Sequence, residues 1–292
     1  MMITYSSSPT TSTTIFDIGN YSTKLLNIEP QSYINSSFPP PPPKPLLIST
    51  PLQGGNFPVI LFLHGYLLYN YFYSQLIQHI SSHGFIVVAP QLYLVEGPDT
   101  TKEIKSTAEI TNWLPEGLHH YLPSQVEPNL KKLALAGHSR GGKAAFGLAL
   151  GIQTTPPVLT YIPQSYNLDM DVLVIGSGLG EVKRNPLFPA CALNGINHRD
   201  FYNECCRPVR YVVAKDYGHV DMLDDETKGV RGKATYCLCK NGKSREPMRR
   251  FVGGIVVAFL EDYLKGNSSD LMAIKDGYVT LPVELQDVDF RV

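Results

Sequence analysis

Three observations predict an α/β architecture for this chain, with a mostly parallel central sheet and helices on both faces. Short continuous apolar runs alternate with amphipathic helical stretches. The runs end at glycine, proline or polar residues. A serine between two glycines joins one run to the helix that follows it. A strand buried on both faces needs an unbroken apolar run, and a crossover helix returns the chain so that the next strand can lie parallel.

The elements follow in order. "FPVILFLHG" (57–65) reads as a buried parallel strand stopped by glycine. "YFYSQLIQHISSHG" (71–84) sets Phe72, Leu76, Ile77 and Ile80 on one helical face and ends at a glycine cap. "FIVVAP" (85–90) is a second strand. "KEIKSTAEITNWLPEGLHHYL" (102–122) is an amphipathic helix that Pro115 breaks or kinks. "KKLALAGH" (131–138) is a third strand, and "RGGKAAFGLALG" (140–151) a small-residue helix. "DVLVIGSG" (171–178) and "VRYVVAKD" (209–216) are the fourth and fifth strands. "PMRRFVGGIVVAFLEDYLKG" (247–266) is a long helix with proline in its first turn.

With 292 residues, 43% of them hydrophobic, the chain can bury one large core. Net charge is −1 and no basic stripe occurs, which argues against a nucleic-acid partner. No run reaches the ~18 apolar residues of a membrane span. Five cysteines cannot all pair within one chain, and no C-x-x-C occurs, so free or structural thiols are expected. A bond between Cys191 and Cys205 or Cys206 stays open. Cys237 and Cys239 read as neighbours on one face of a strand. "PPPPP" (39–43) reads as an extended linker. The expected organisation is an N-terminal extension over 1–44, partly disordered, a body over 45–266, and a tail over 267–292. The Ser/Thr-rich, acid-poor start is compatible with a plastid transit segment that lacks the usual arginines, or with a frayed end.

Gly137-His138-Ser139-Arg140-Gly141 matches G-x-S-x-G between a strand and a helix, the context in which a serine is held on a sharp turn as a nucleophile. A neutral hydroxyl needs a base. His219 follows the fifth strand, and the order serine then histidine is that of an α/β-hydrolase. His79 and His83, four apart, read as a solvated helix face, and His119-His120 as structural. His198 stays open. The oxyanion donors are expected to be the backbone amides of Arg140 and Tyr66. The loop "YLLYNYFY" (66–73) reads as core or as a hydrophobic substrate wall.

The blocks "VILFLHG", "SSHGFIVVAPQLY", "GHSRGGKAAFGLALG", "VIGSGLGEVKRNPLFPACALNGINHRDFY", "AKDYGHVDMLDD" and "CLCKNGKSREPMRRFVGGIVVAFL" together resemble the plant chlorophyllases over residues 45 to 266. The resemblance implies an α/β-hydrolase that cleaves the phytyl ester of chlorophyll, with Ser139 as nucleophile and His219 as base, and with neither metal nor organic cofactor. It implies a small hydrophobic ester as the partner and the chloroplast as the location, with the cytosol or the endoplasmic reticulum surface as alternatives. Peripheral membrane association and oligomeric state stay open. A general lipase or carboxylesterase is the related alternative.

One block of that family is missing. There the nucleophile helix leads to another strand that ends in Gly-x-Asp-Pro-Val, whose aspartate is the triad acid. Here "GLALG" runs directly into "IQTTPPVLTY", and no Asp-Pro occurs. Glu181, after the strand "VLVIG", is the expected stand-in acid. Asp169 would serve if "VLTYI" (158–162) filled the vacant slot, while Asp216 and Asp221 read as shaping the loop of His219. Without an acid, the chain is expected to be a slow enzyme, a non-catalytic or weakly active form that binds chlorophyll, or a misfolding product.

Overall fold

A computed structural model describes residues 14–30, 39–151, 168 and 170–291. Their strands form two sheets rather than one. The first contains β1 (Thr23–Ile28), β2 (Leu46–Pro51), β3 (Gly55–Leu63), β4 (Ile86–Pro90) and β5 (Val126–Gly137), in the order β1-β2-β4-β3-β5. The second contains β6 (Val172–Ser177), β7 (Val209–Ala214) and β8 (Leu285–Arg291), in that order. Pairing is parallel for β4-β3, β3-β5 and β6-β7. It is antiparallel for β1-β2, β2-β4 and β7-β8. The parallel centre is as the apolar runs predict; the antiparallel margins lie in stretches that carry no such run.

The helices are α1 (Ser74–Ser82), α2 (Thr101–Gly117), α3 (Arg140–Ala149), α4 (His198–Glu204), α5 (Gly229–Cys237), α6 (Glu246–Lys265) and α7 (Ser269–Lys275). Pro115 sits inside α2, whose end passes into a 3₁₀ turn at Leu118–Tyr121. β3 shows how the layers form. Ile60 and Phe62 face a core with α1 and α6, while Val59, Leu61 and Leu63 face a second core with α2 and α3. That two-residue alternation buries both faces of the strand.

The first core also takes Val212 and Ala214 from β7, so α6 packs across both sheets on one side. On the other side β6, β7 and Tyr202 of α4 form a separate core. Phe146 of α3 meets Phe201 of α4 there, ring centroids 5.0 Å apart. Among the described residues β5 pairs only with β3, and β6 only with β7. Between their facing edges lies a cavity of about 310 Å³, lined by Leu133, Leu135, Phe146, Val172, Leu173 and Phe259 among others.

Several expectations are corrected. The boundaries at 44 and 266 cut through packed structure: Phe16 is 1% exposed in the main core, β1 pairs along all of its length, and β8 extends the second sheet. His79 and His83 are not a solvated face. His79 is buried and its Nε2 donates to the Ile15 carbonyl at 2.8 Å; His83 Nε2 meets the Asp17 carbonyl at 3.0 Å. Cys191 and Cys239 form a disulfide, so the 191–205/206 alternative falls, while Cys205, Cys206 and Cys237 keep their thiols as expected. Cys237 ends a helix, not a strand. The segment 158–162 and Asp169 lie outside the described residues.

Candidate active site

Ser139 has φ 55° and ψ −119°, a left-handed backbone that costs a non-glycine residue about 1–3 kcal/mol. The turn is forced by what surrounds it. A Cβ on Gly137 would lie 2.4 Å from the Gly141 backbone, and one on Gly141 would lie 2.3 Å from the Leu63 carbonyl oxygen. Only glycine lets strand and helix approach this closely. The serine side chain is thereby lifted to an exposed position at the carboxyl end of β5.

The loop after β3 is pinned from two sides. His64 donates from Nδ1 to the Gly65 carbonyl at 2.9 Å and accepts at Nε2 from the Leu92 N–H at 3.1 Å. This fixes a neutral tautomer, and burial lowers its pKa to about 4. On the other side the Gly65 N–H donates to the Tyr73 hydroxyl at 3.0 Å. That hydroxyl has one proton, which goes to His138 Nδ1 at 2.7 Å. His138 must therefore carry its own proton on Nε2, which donates to the carbonyl of His219 at 2.8 Å. His138 is buried, and its pKa falls to about 4 by desolvation first. The relay ties the Tyr66 loop, the nucleophile turn and the His219 loop into one assembly. Neither Tyr73 nor His138 is assigned this role by the sequence, although His138 stands inside the motif.

Tyr66 lies in the turn after β3. Arg140 opens α3, where a helix's first N–H groups have no intrahelical acceptor. The Arg140 side chain pairs with the buried carboxylate of Glu103, donates to the Asp99 carbonyl at 2.6 Å, and lies over the rings of Tyr66 and Tyr93 at 5.6 and 5.3 Å. Leu67, beside Tyr66, has φ 60°. The tyrosine-rich loop divides between both readings: Leu68, Phe72 and Tyr73 are core, while Tyr66 and Tyr71 are nearly half exposed.

His219 follows β7, and its ring packs 4.7 Å from that of His138. Its loop is tied down by Asp221, which accepts from the Gly218 and Gly242 amides at 2.6 Å each. Nε2 of His219 is closed to solvent and has no hydrogen-bond partner. Desolvation, then the neighbouring His138 and His198, lower its pKa to about 3. Serine and imidazole thus share one neighbourhood without a hydrogen bond between them.

Among the described residues no carboxylate hydrogen-bonds to this imidazole. Glu181 is exposed and its Oε1 accepts from Asn197 Nδ2 at 2.6 Å, beside His198 rather than His219. The expectation that Glu181 completes the triad is not met, because the α4 capping residue holds its carboxylate. Asp171 pairs with Arg210 at the entering end of β6, 2.5 Å away, and Asp216 is exposed.

The family model for chlorophyllase matches residues 11–155 and 151–292. The chain belongs to the chlorophyllase family. Chlorophyllase-2 of Arabidopsis thaliana is 54% identical, with 97% of this chain and 99% of that protein covered. The chloroplastic chlorophyllase-1 of Citrus unshiu is 44% identical, with 94% and 88% covered. Chlorophyllase-1 of Arabidopsis thaliana is 41% identical, with 94% and 93% covered. The alignment with the first of these chlorophyllases runs over 314 positions against the 292 residues here, so that protein has residues with no counterpart in this chain. The chlorophyllase model breaks at residues 151–155, in the connection that leads from α3 to β6. The break in the match and the break in the sheet fall at the same place.

Proposed function

We propose that this chain is a serine carboxylic-ester hydrolase that cleaves the phytyl ester of chlorophyll to chlorophyllide and phytol, in the chloroplast, at a rate held down by a missing triad acid. One observation carries it: a serine on a strained, exposed turn, with the imidazole of His219 packed against the residue beside it. Ser139 Oγ attacks the ester carbonyl, and His219 takes its proton and returns it to the departing phytol oxygen. The Arg140 and Tyr66 amides hold the oxyanion. Water then cleaves the acyl-serine by the same route, with His219 again as base. The family and the chloroplastic Citrus relative support the substrate and the location.

The unsupported imidazole favours a weakly active form over a fully active one. An acid would orient the ring and stabilise the imidazolium, whereas here burial and two histidines oppose that charge. The test is chromatographic detection of chlorophyllide from chlorophyll, with a triglyceride as competitor substrate. Slow chlorophyllide formation that disappears in Ser139→Ala is expected. A rate unchanged in Ser139→Ala, or a preference for the triglyceride, would refute the reading.

A further inference from the structure

Two loops at the carboxyl side of the second sheet expose apolar side chains to solvent. After β6, Val182, Leu187, Phe188, Leu193 and Ile196 are exposed, Leu187 at 86%. After β7, Val230 reaches 87%, with Tyr236 and Leu238 also exposed. Exposed clusters of this kind mark contact surfaces.

The same loops carry charge of one sign. No acidic residue occurs from Val182 to Arg199 or from Thr227 to Arg245, although Glu181, Asp200, Glu226 and Glu246 flank them. Lys183, Arg184, Lys228, Lys233, Lys240 and Lys243 are exposed, and none joins an ion pair among the described residues. In a chain of net charge −1 this is a strong local asymmetry.

The loops form one platform. The Cys191–Cys239 disulfide and a backbone bridge between Lys183 and Cys239 join them. Arg231 extends the platform by donating to the Leu94 carbonyl at 2.8 Å and lying over the Tyr69 ring. Leu94, Val95, Tyr66 and Tyr71 are themselves exposed. All of these residues follow the carboxyl ends of strands, the side on which Ser139 stands.

We propose that this platform seats the active-site face on an anionic lipid surface. Leu187, Phe188 and Val230 enter the interfacial layer while the lysines and Arg184 meet the headgroups, the pairing of apolar insertion with basic attraction that holds peripheral proteins at membranes. Its purpose rests on the esterase reading, since a phytyl ester dissolves in bilayers. The charge commits the surface to lipid rather than to a second copy, whose platform would bring the same sign of charge.

The test is sedimentation of the full-length Ser139→Ala protein with phosphatidylcholine vesicles, with and without phosphatidylglycerol. Binding is expected with phosphatidylglycerol only, to fall with added salt, and to weaken about tenfold or more in Leu187→Asp/Val230→Asp. Both positions are nearly fully exposed, so an unchanged melting temperature verifies that this variant is folded. No sedimentation, equal binding of the variant, or a dimer in solution that the variant dissolves would overturn the proposal. Because the readout is binding by a protein that lacks the nucleophile, failure of the esterase reading cannot imitate failure of docking.

Discussion

The five-stranded sheet and the three-stranded sheet hold different shares of the site. The first carries Ser139, the Tyr66 loop and the relay through Tyr73 and His138. The second carries His219 and Glu181. Every part of the nucleophile turn is set by neighbours close at hand: glycines that admit the crossing, a tyrosine hydroxyl, a buried arginine pair. The acid is different. It depends on what stands between β5 and β6, and there the described residues leave a cavity. A feature built from local sterics does not depend on a neighbouring strand, whereas one that needs a strand end at a given place does.

The strongest way to break this comparison is to supply the strand. Inserting a segment that ends in Gly-x-Asp-Pro-Val after Gly151 should raise kcat for chlorophyll by about 10³–10⁴, the scale on which a triad acid matters. It should also raise the melting temperature by pairing the edges of β5 and β6 that have no strand partner among the described residues. A cooperatively folded insertion variant with an unchanged rate would mean that the slot is not where the acid belongs.

Acid titration tests the buried histidines, which come from both halves. His64, His79 and His138 have pKa values lowered to about 4, and His219 to about 3, all by burial first. The unfolded chain binds protons near 6.5 while the folded chain does not. Stability is therefore full above about 6.5 and is lost as pH falls toward 4. Thermal melts at descending pH should show a steep drop in that window, and a flat profile would contradict the buried neutral rings.

A smaller effect isolates the relay between the halves. Tyr73→Phe leaves the Gly65 N–H and His138 Nδ1 unpaired in a buried site and should destabilise the chain by about 1–3 kcal/mol. Denaturant unfolding measures the loss, and kcat should fall with it because the His219 carbonyl loses a donor of fixed tautomer. The smallest effect is at Glu181. Glu181→Gln should leave kcat within about twofold, as expected of an exposed group outside the reaction. A steep fall in steady-state turnover would return Glu181 to the triad.

Legibility in the sequence follows the same division. The strands at 57–65 and 85–90, the nucleophile turn and His219 can be read because each has a local signature: an apolar run, a glycine pair, a position after a strand. β1 and β8 cannot, since a margin strand with one solvated face carries no continuous run. The Cys191–Cys239 bond spans 48 residues and is decided by which loops meet, not by spacing. His79 and His83 show helical spacing whose buried partner, the segment around Ile15, is remote in the chain. Tyr73 looks like one more aromatic in a loop until its hydroxyl is placed beside His138.

The histidine clasp on the N-terminal turn sets a limit on how far the chain can be trimmed. Phe16 packs against Phe251 of α6, ring centroids 6.3 Å apart, and Arg250 holds Asp17 at 2.6 Å. A proteolytic cut after Phe16 would draw a phenylalanine out of the main core, at a cost of about 3–5 kcal/mol, and leave His79 without its carbonyl. A chain that begins after this turn is expected to melt at a lower temperature than one that retains it, by loss of the Phe16 plug and the Ile15 carbonyl together.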